Sequence, residues 1–156
     1  MEWYLNNREI IQNLSINTGT SANPTFTTMC TTSEIEVSSE FESTDWYVFC
    51  DAIKRSLITG VALSINATVK LDINNTAIQN IIAKIHTLLT SGTVAQFNNQ
   101  LIKFDLLTSV SSNVLTYTTY QVPCTLNFSD LGGPAEEEGE FSLEIHINGK
   151  GTVVTP

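Results

Sequence analysis

Positive charge is what this chain most lacks. Seven Lys and Arg stand against sixteen Asp and Glu in 156 residues, a formal net charge of −9. Phosphate backbones are bound by neutralising them with basic side chains, so the composition argues against nucleic-acid binding as a function. An anionic membrane surface is disfavoured for the same reason. Charge of either sign is low, at 15% of residues. Cysteine is limited to Cys30, Cys50 and Cys124, an odd number at wide spacing. That is not a disulfide framework, and without a CxxC pair it is not a zinc site. The three thiols are expected to be reduced and mostly buried. No run approaches the ~18 apolar residues of a membrane helix. The segment MEWYLNNREI lacks the basic region and apolar stretch of a signal peptide. A soluble chain, made in a cytosol and without a membrane anchor, is expected.

Catalytic signatures are missing as well. The sequence holds no nucleophile elbow, P-loop, dinucleotide fingerprint, HExxH or EF-hand spacing. His86 and His146 are the only two histidines, the residue type suited to acid–base work at neutral pH. His86 flanks the apolar stripe of a helical segment and His146 alternates outward on a strand, so both read as surface or half-packed residues. No local spacing couples either to a cysteine as nucleophile and base. Glu136, Glu137 and Glu138, with Asp130 nearby, offer oxygen ligands to a hard cation such as calcium. Three consecutive carboxylates in a Gly- and Pro-flanked loop read more simply as a solvated tip. Neither an enzyme nor a cofactor or metal is expected.

What is abundant is Ser, Thr and Asn, which favours strands and turns over helix. Few charges and many small hydroxyls also suit a surface covered by neighbours. The first 23 residues read as an irregular arm, with Ile10, Ile11, Leu14 and Ile16 offering a short strand or packing segment. Pro24 precedes a strand around Phe26 to Cys30. Ser33 to Phe41 alternates at the period of a half-buried strand, with Glu34 and Glu36 on its wet face. Those carboxylates read as a wet sheet face, or as an acidic lining in a multimer. Thr44 to Cys50, TDWYVFC, is apolar on both faces and needs covering on both sides. Its Trp46, Tyr47 and Phe49 are candidates for a core strand or for a subunit contact. Beyond it stands the only adjacent basic pair, Lys54 and Arg55. The stretch from Ser38 to Gly60 is long enough to form an arm.

Val61 to Ile73 reads as a long strand. The period then changes: Ile78, Ile81, Ile82, Ile85, Leu88 and Leu89 form the stripe of one helix over about 75–90, capped by Asn75 and stopped by Gly92. Ile102, Phe104 and Leu106 alternate again. Leu115 to Phe128 holds one or two strands interrupted at Pro123. Leu131 to Gly139 is a loop, Glu140 to Ile147 a clear strand, and Asn148-Gly149 a turn into a tail over about 149–156. Strands, one helix, then strands make a single mainly β domain over 1–156: an antiparallel sandwich or barrel with a flanking helix.

The C-terminal EGEFSLEIHINGKGTVVTP, with its strand, Gly-containing turn and short tail, resembles the close of phage major tail proteins, the tail-tube family. The block from Glu34 to Ile73, with TDWYVFCDA, ITG and VALSINATVKLDI, is similar to that family too, as are the following helix and the length. The resemblance implies rings, usually of six subunits, whose inner strands join around a lumen. It implies stacking through a hairpin arm and flexible termini. A tape-measure protein would be enclosed during assembly and DNA conducted later without specific binding, with tail-tip and tail-terminator proteins at the ends. The location implied is the virion tail. The fold is shared with contractile tails and type VI secretion tubes. Under that resemblance Trp46, Tyr47, Phe49, Lys54 and Arg55 are candidate subunit or ring contacts. Glu34, Glu36, Glu136, Glu137 and Glu138 are a candidate acidic surface or lumen. The other reading is a small lectin-like sandwich stacking sugars on Tyr117 or Tyr120.

Overall fold

The computed structural model describes residues 4–20, 22–50, 52–132 and 134–154. Its strands are β1 (Ile11–Asn17), β2 (Phe26–Thr28), β3 (Thr32–Trp46), β4 (Arg55–Lys70), β5 (Gln100–Ser111), β6 (Val114–Ser129), β7 (Glu140–Ile147) and β8 (Thr152–Val153). One α-helix, α1 (Thr76–Ser91), lies between β4 and β5. All eight strands join one antiparallel sheet in the order β2-β1-β5-β6-β7-β4-β3, with β8 paired to β6. The fold is thus mainly β with one flanking helix, the class the periodicities predict.

β2 and β3 stand at opposite ends of that order, yet only residues 29–31 separate them in the chain. The four steps from Thr28 to Thr32 span at most roughly 14 Å. The sheet therefore curls until its ends meet. At the seam the Met29 N–H donates to the Leu14 carbonyl at 2.9 Å and the Lys70 N–H to the Thr31 carbonyl at 3.0 Å. The concave face collects the apolar alternates: Ile65, Val69, Ile102, Val122, Cys124, Phe141 and Ile145 are all buried there. Ala77, Ile78 and Ile81 of α1 enter the same core. The Asn75 side chain accepts from the Ala77 N–H at 2.8 Å and donates to the Thr28 carbonyl at 3.1 Å, so one residue caps α1 and ties it to β2. Gly92 ends the helix in the left-handed region, at φ 66°.

Several boundaries differ from the sequence reading, each for a local reason. Much of the expected N-terminal arm is β1, held between β2 and β5. Ile11, Leu14 and Ile16 break strict alternation because the register shifts between Gln12 and Ser15 around Asn13, whose φ is 54°. That bulge brings all three side chains into the core. Residues 1–3 and 21 of the expected arm, and 155–156 of the expected tail, lie outside the described residues. Within the tail, Thr152–Val153 pairs with β6 as β8. Pro123 does not interrupt β6. Its carbonyl accepts from the Asn148 N–H at 3.0 Å, so the missing donor faces the turn between β7 and β8, where no strand needs it. β4 begins at Arg55 and ends at Lys70, six residues earlier and three residues earlier than the run Val61 to Ile73. Of the three cysteines only Cys124 is buried; Cys30 and Cys50 are exposed.

Candidate assembly interface

Two ribbons leave the sheet at one rim. β7 reaches β4 no further than the Ser64–His146 pair, so from Ser39 and Leu63 outward β3 and β4 pair only with each other. Eight residues of β3 extend past that point, about 26 Å at strand rise. The second ribbon is the outer part of β5 and β6, closed by Ser112 and Asn113 with φ 50° and 65°, the left-handed pair of a tight hairpin turn. β4 and β6 both run antiparallel to β7, so their first residues, at the ribbon tips, point the same way. The loop between β6 and β7, with Lys70, occupies the opposite rim.

The β3–β4 ribbon is unusually apolar for an exposed element. Its register pairs Phe41 with Val61 on one face and Thr44 with Leu57 on the other. A bulge opposite Glu42 and Ser43 skips Thr59 and brings Ile58 round to the face of Val61. Both faces thus carry large apolar side chains with nothing covering them. The strand expected over Thr44 to Cys50 stops at Trp46, and Tyr47 and Phe49 stand in the connecting tip. Trp46 is 42% exposed, Tyr47 66%, and Phe49 fully so. Lys54 lies in the same tip, its Nζ 3.1 Å from Asp45 Oδ2, and the Arg55 guanidinium donates to the Ile53 carbonyl at 3.4 Å.

Glu34, Glu36, Glu40 and Glu42 share the convex face of β3. Across the sheet the row Glu36, Asn66, Glu144, Asn127 alternates acid and amide. Asn66 keeps the two carboxylates two strand widths apart, roughly 9.6 Å, which dilutes their repulsion near one Debye length. The face is a spread of negative charge and not a pair of coupled carboxylates. Glu136, Glu137 and Glu138 are exposed on the β6–β7 loop, at the edge of the sheet beyond Glu140. Lys70 approaches Glu138 and Glu140 at 3.7 and 3.5 Å.

Chemistry of other kinds has little support in this geometry. Burial pushes the Cys124 thiol up to about 12, leaving it protonated. His86 and His146 are exposed on α1 and β7. Among the described residues no three His, Cys, Asp or Glu side chains converge as metal ligands. Tyr117 donates its hydroxyl to the Glu9 carbonyl at 2.7 Å, and Tyr120 packs against Phe104 with ring centroids 6.0 Å apart. Three positions apart on one strand, those rings face opposite sides and form no common stacking platform. The ribbon falls largely within the stretch from Ser38 to Gly60 that reads in the sequence as long enough for an arm; the apolar run on both faces of Thr44 to Cys50 is the second signal.

No protein-family model matches the chain, and no curated protein matches it in sequence. Solved structures do match over nearly the whole length. A chain of the tail of an empty GTA particle, refined helically with C6 symmetry, superposes with a TM-score of 0.60 at 12% identity, covering 97% of this chain and 100% of that one. A chain of the native gene transfer agent virion gives 0.56 at 14%, with the same coverage. A chain of the PVC sheath–tube complex, an extracellular contractile injection system in its extended state, gives 0.55 at 9%, covering 98% and 94%. At such identities the likeness is one of fold.

Proposed function

We propose that this chain is the structural subunit of a tail tube, closing into six-membered rings that stack around a lumen. The observation that carries the reading is the β3–β4 ribbon, whose two faces both carry large exposed apolar side chains. A free monomer has no use for such a ribbon, whereas a neighbouring subunit buries it at a gain of roughly 25 cal/mol per Å². The outer edge of β3 adds a long row of unpaired backbone groups, a liability unless another copy covers it. Cyclic head-to-tail contacts provide that cover and close into rings. The full-length likeness in fold to a chain of a C6-symmetric tail supports the same geometry.

In this reading Trp46, Tyr47, Phe49, Lys54 and Arg55 belong to contacts between subunits. The acidic convex face of β3, β4 and β7 lines the lumen. A wall that carries Glu34, Glu36, Glu40, Glu42 and Glu144 repels phosphate, so DNA slides through without binding. The tube encloses a tape-measure protein, is bounded by tail-tip and tail-terminator proteins, and resides in the virion tail. The chain has no catalytic role. Likeness to a chain of a sheath–tube complex favours a second form of the same reading, a tube inside a contractile sheath. The test is negative-stain microscopy with light scattering across concentration. Rings or tubes of uniform width are the expected result. A monomer at all concentrations, unchanged by adding a tail-tip or tape-measure partner, overturns the proposal. Co-pelleting with a sheath protein separates the contractile form from the non-contractile one.

A further inference from the structure

We propose that Asn148 is a self-modification site: attack by the next backbone nitrogen turns its side-chain amide into a carboxylate, and the change releases strand β8. This goes beyond the tube reading and does not depend on it. Asn148 is the only asparagine in the chain followed by glycine. Asparagine is chemically labile, and a following glycine has no Cβ to obstruct the approach to its nitrogen. The structure leaves that nitrogen available. β7 ends at Ile147, and the Asn148 N–H still donates to the Pro123 carbonyl at 3.0 Å. The next N–H, that of Gly149, has no hydrogen-bond partner among the described residues. Both residues are exposed to the water and base that the reaction needs. Asn148 Nδ2 donates to Thr125 Oγ1 at 2.6 Å, which directs the leaving nitrogen towards β6.

The steps balance without any cofactor. A solvent base removes the Gly149 amide proton, and the nitrogen lone pair attacks Asn148 Cγ. A C–N bond forms, the Cγ–Nδ2 bond breaks, and Nδ2 leaves with a solvent proton as ammonia. Water then opens the cyclic imide. Opening at Cγ gives aspartate; opening at the α-carbonyl gives isoaspartate, whose main chain runs through Cβ and Cγ. One water is taken up, one ammonia is released, and one negative charge is added to the chain's −9.

The segment that follows has no slack to absorb this. A Cβ on Gly149 would stand 3.3 Å from Pro123 Cγ, and one on Gly151 3.2 Å from Val122 Cγ2, so the main chain runs close against β6. Isoaspartate adds one atom to that main chain. β8 is held only by the pairs Tyr120–Val153 and Gln121–Thr152 and by the Val154 N–H on the Thr119 carbonyl at 2.9 Å. Two residue pairs at a chain end are too few to follow the shift, so β8 detaches. β6 then loses its cover at Tyr120 and Gln121, beyond the reach of β7, which pairs with β6 only from Cys124 onward.

Peptide mapping by mass spectrometry tests this on the purified chain aged in mildly alkaline buffer. The native chain should convert at Asn148 within about tenfold of the rate in the urea-unfolded chain, because the turn reacts without unfolding. A site reached only through global unfolding would be slower by the folding equilibrium constant, roughly 10³-fold or more. Asn148→Gln should stay unconverted. In the converted wild type, hydrogen exchange should show protection lost at the Val154 amide, which aged Asn148→Gln retains. Native conversion slowed by more than about tenfold overturns the site. Unchanged protection at Val154 in the converted chain overturns the release of β8. Neither result touches the tube reading, which microscopy decides separately.

Discussion

Cys124 is fully enclosed by the sheet core, facing Ile147 across β6 and β7. Its thiol is held protonated, at about 12 against an ordinary 9.0, because burial penalises the thiolate. The folded state therefore binds a proton that the unfolded state has released above pH 9. The stabilising effect is complete below about pH 9 and is lost as pH rises towards 12. Chemical denaturation followed between pH 8 and 11 should show the midpoint falling only in the upper half of that range. A thiol reagent at pH 8 should titrate two groups in the native protein, Cys30 and Cys50, and a third only after unfolding. Three fast thiols would mean that the core opens locally around β6. Ile145, also fully buried, offers the steric counterpart. Ile145→Ala should cost about 2–5 kcal/mol in denaturant unfolding, through lost contacts and the cavity left behind.

Elements rather than residues decide the next two outcomes. Asn75 both caps α1 and bonds to β2, so Asn75→Ala removes two interactions at one joint. A loss of about 1–2 kcal/mol is expected, at the upper end for a cap, read from thermal unfolding. Trp46→Ala acts at the ribbon end of β3, outside the core cluster. It should leave the unfolding midpoint within about 0.5 kcal/mol of wild type and abolish tubes in the microscope. Tubes of normal length from that variant would remove Trp46 from the interface. The helix was legible in the sequence because its stripe, cap and terminal glycine all act within the element. β7 was legible because nothing disturbs its alternation. β1 was legible only as a short strand or packing segment, since one residue at positive φ re-phases Ile11, Leu14 and Ile16, and that shift is fixed by pairing with β5. The ribbon reads in the sequence as three separate strands, Ser33 to Phe41, Thr44 to Cys50 and one from Val61, although Ser38 to Gly60 is long enough for an arm; on the β4 side Thr59 slips out of register opposite Glu42 and Ser43.

For the whole molecule, the decisive arrangement is a closed core with uncovered ribbons at one rim and an acidic loop at the other. The core stabilises the subunit, while the ribbons and loop remain free to contact other copies. Salt separates the two: raising ionic strength should weaken assembly through its charged contacts while barely changing subunit unfolding. Equal sensitivity of both would place the acidic residues in folding instead. The order of strands has one more consequence. β1 is complete only when paired with β5, some ninety residues later in the chain, whereas β3 and β4 are neighbours that zip together locally. During synthesis at roughly 5–20 residues per second, the sticky ribbon can therefore form several seconds before the first strand finds its partner. The nascent chain thus carries its adhesive end before it has a finished body.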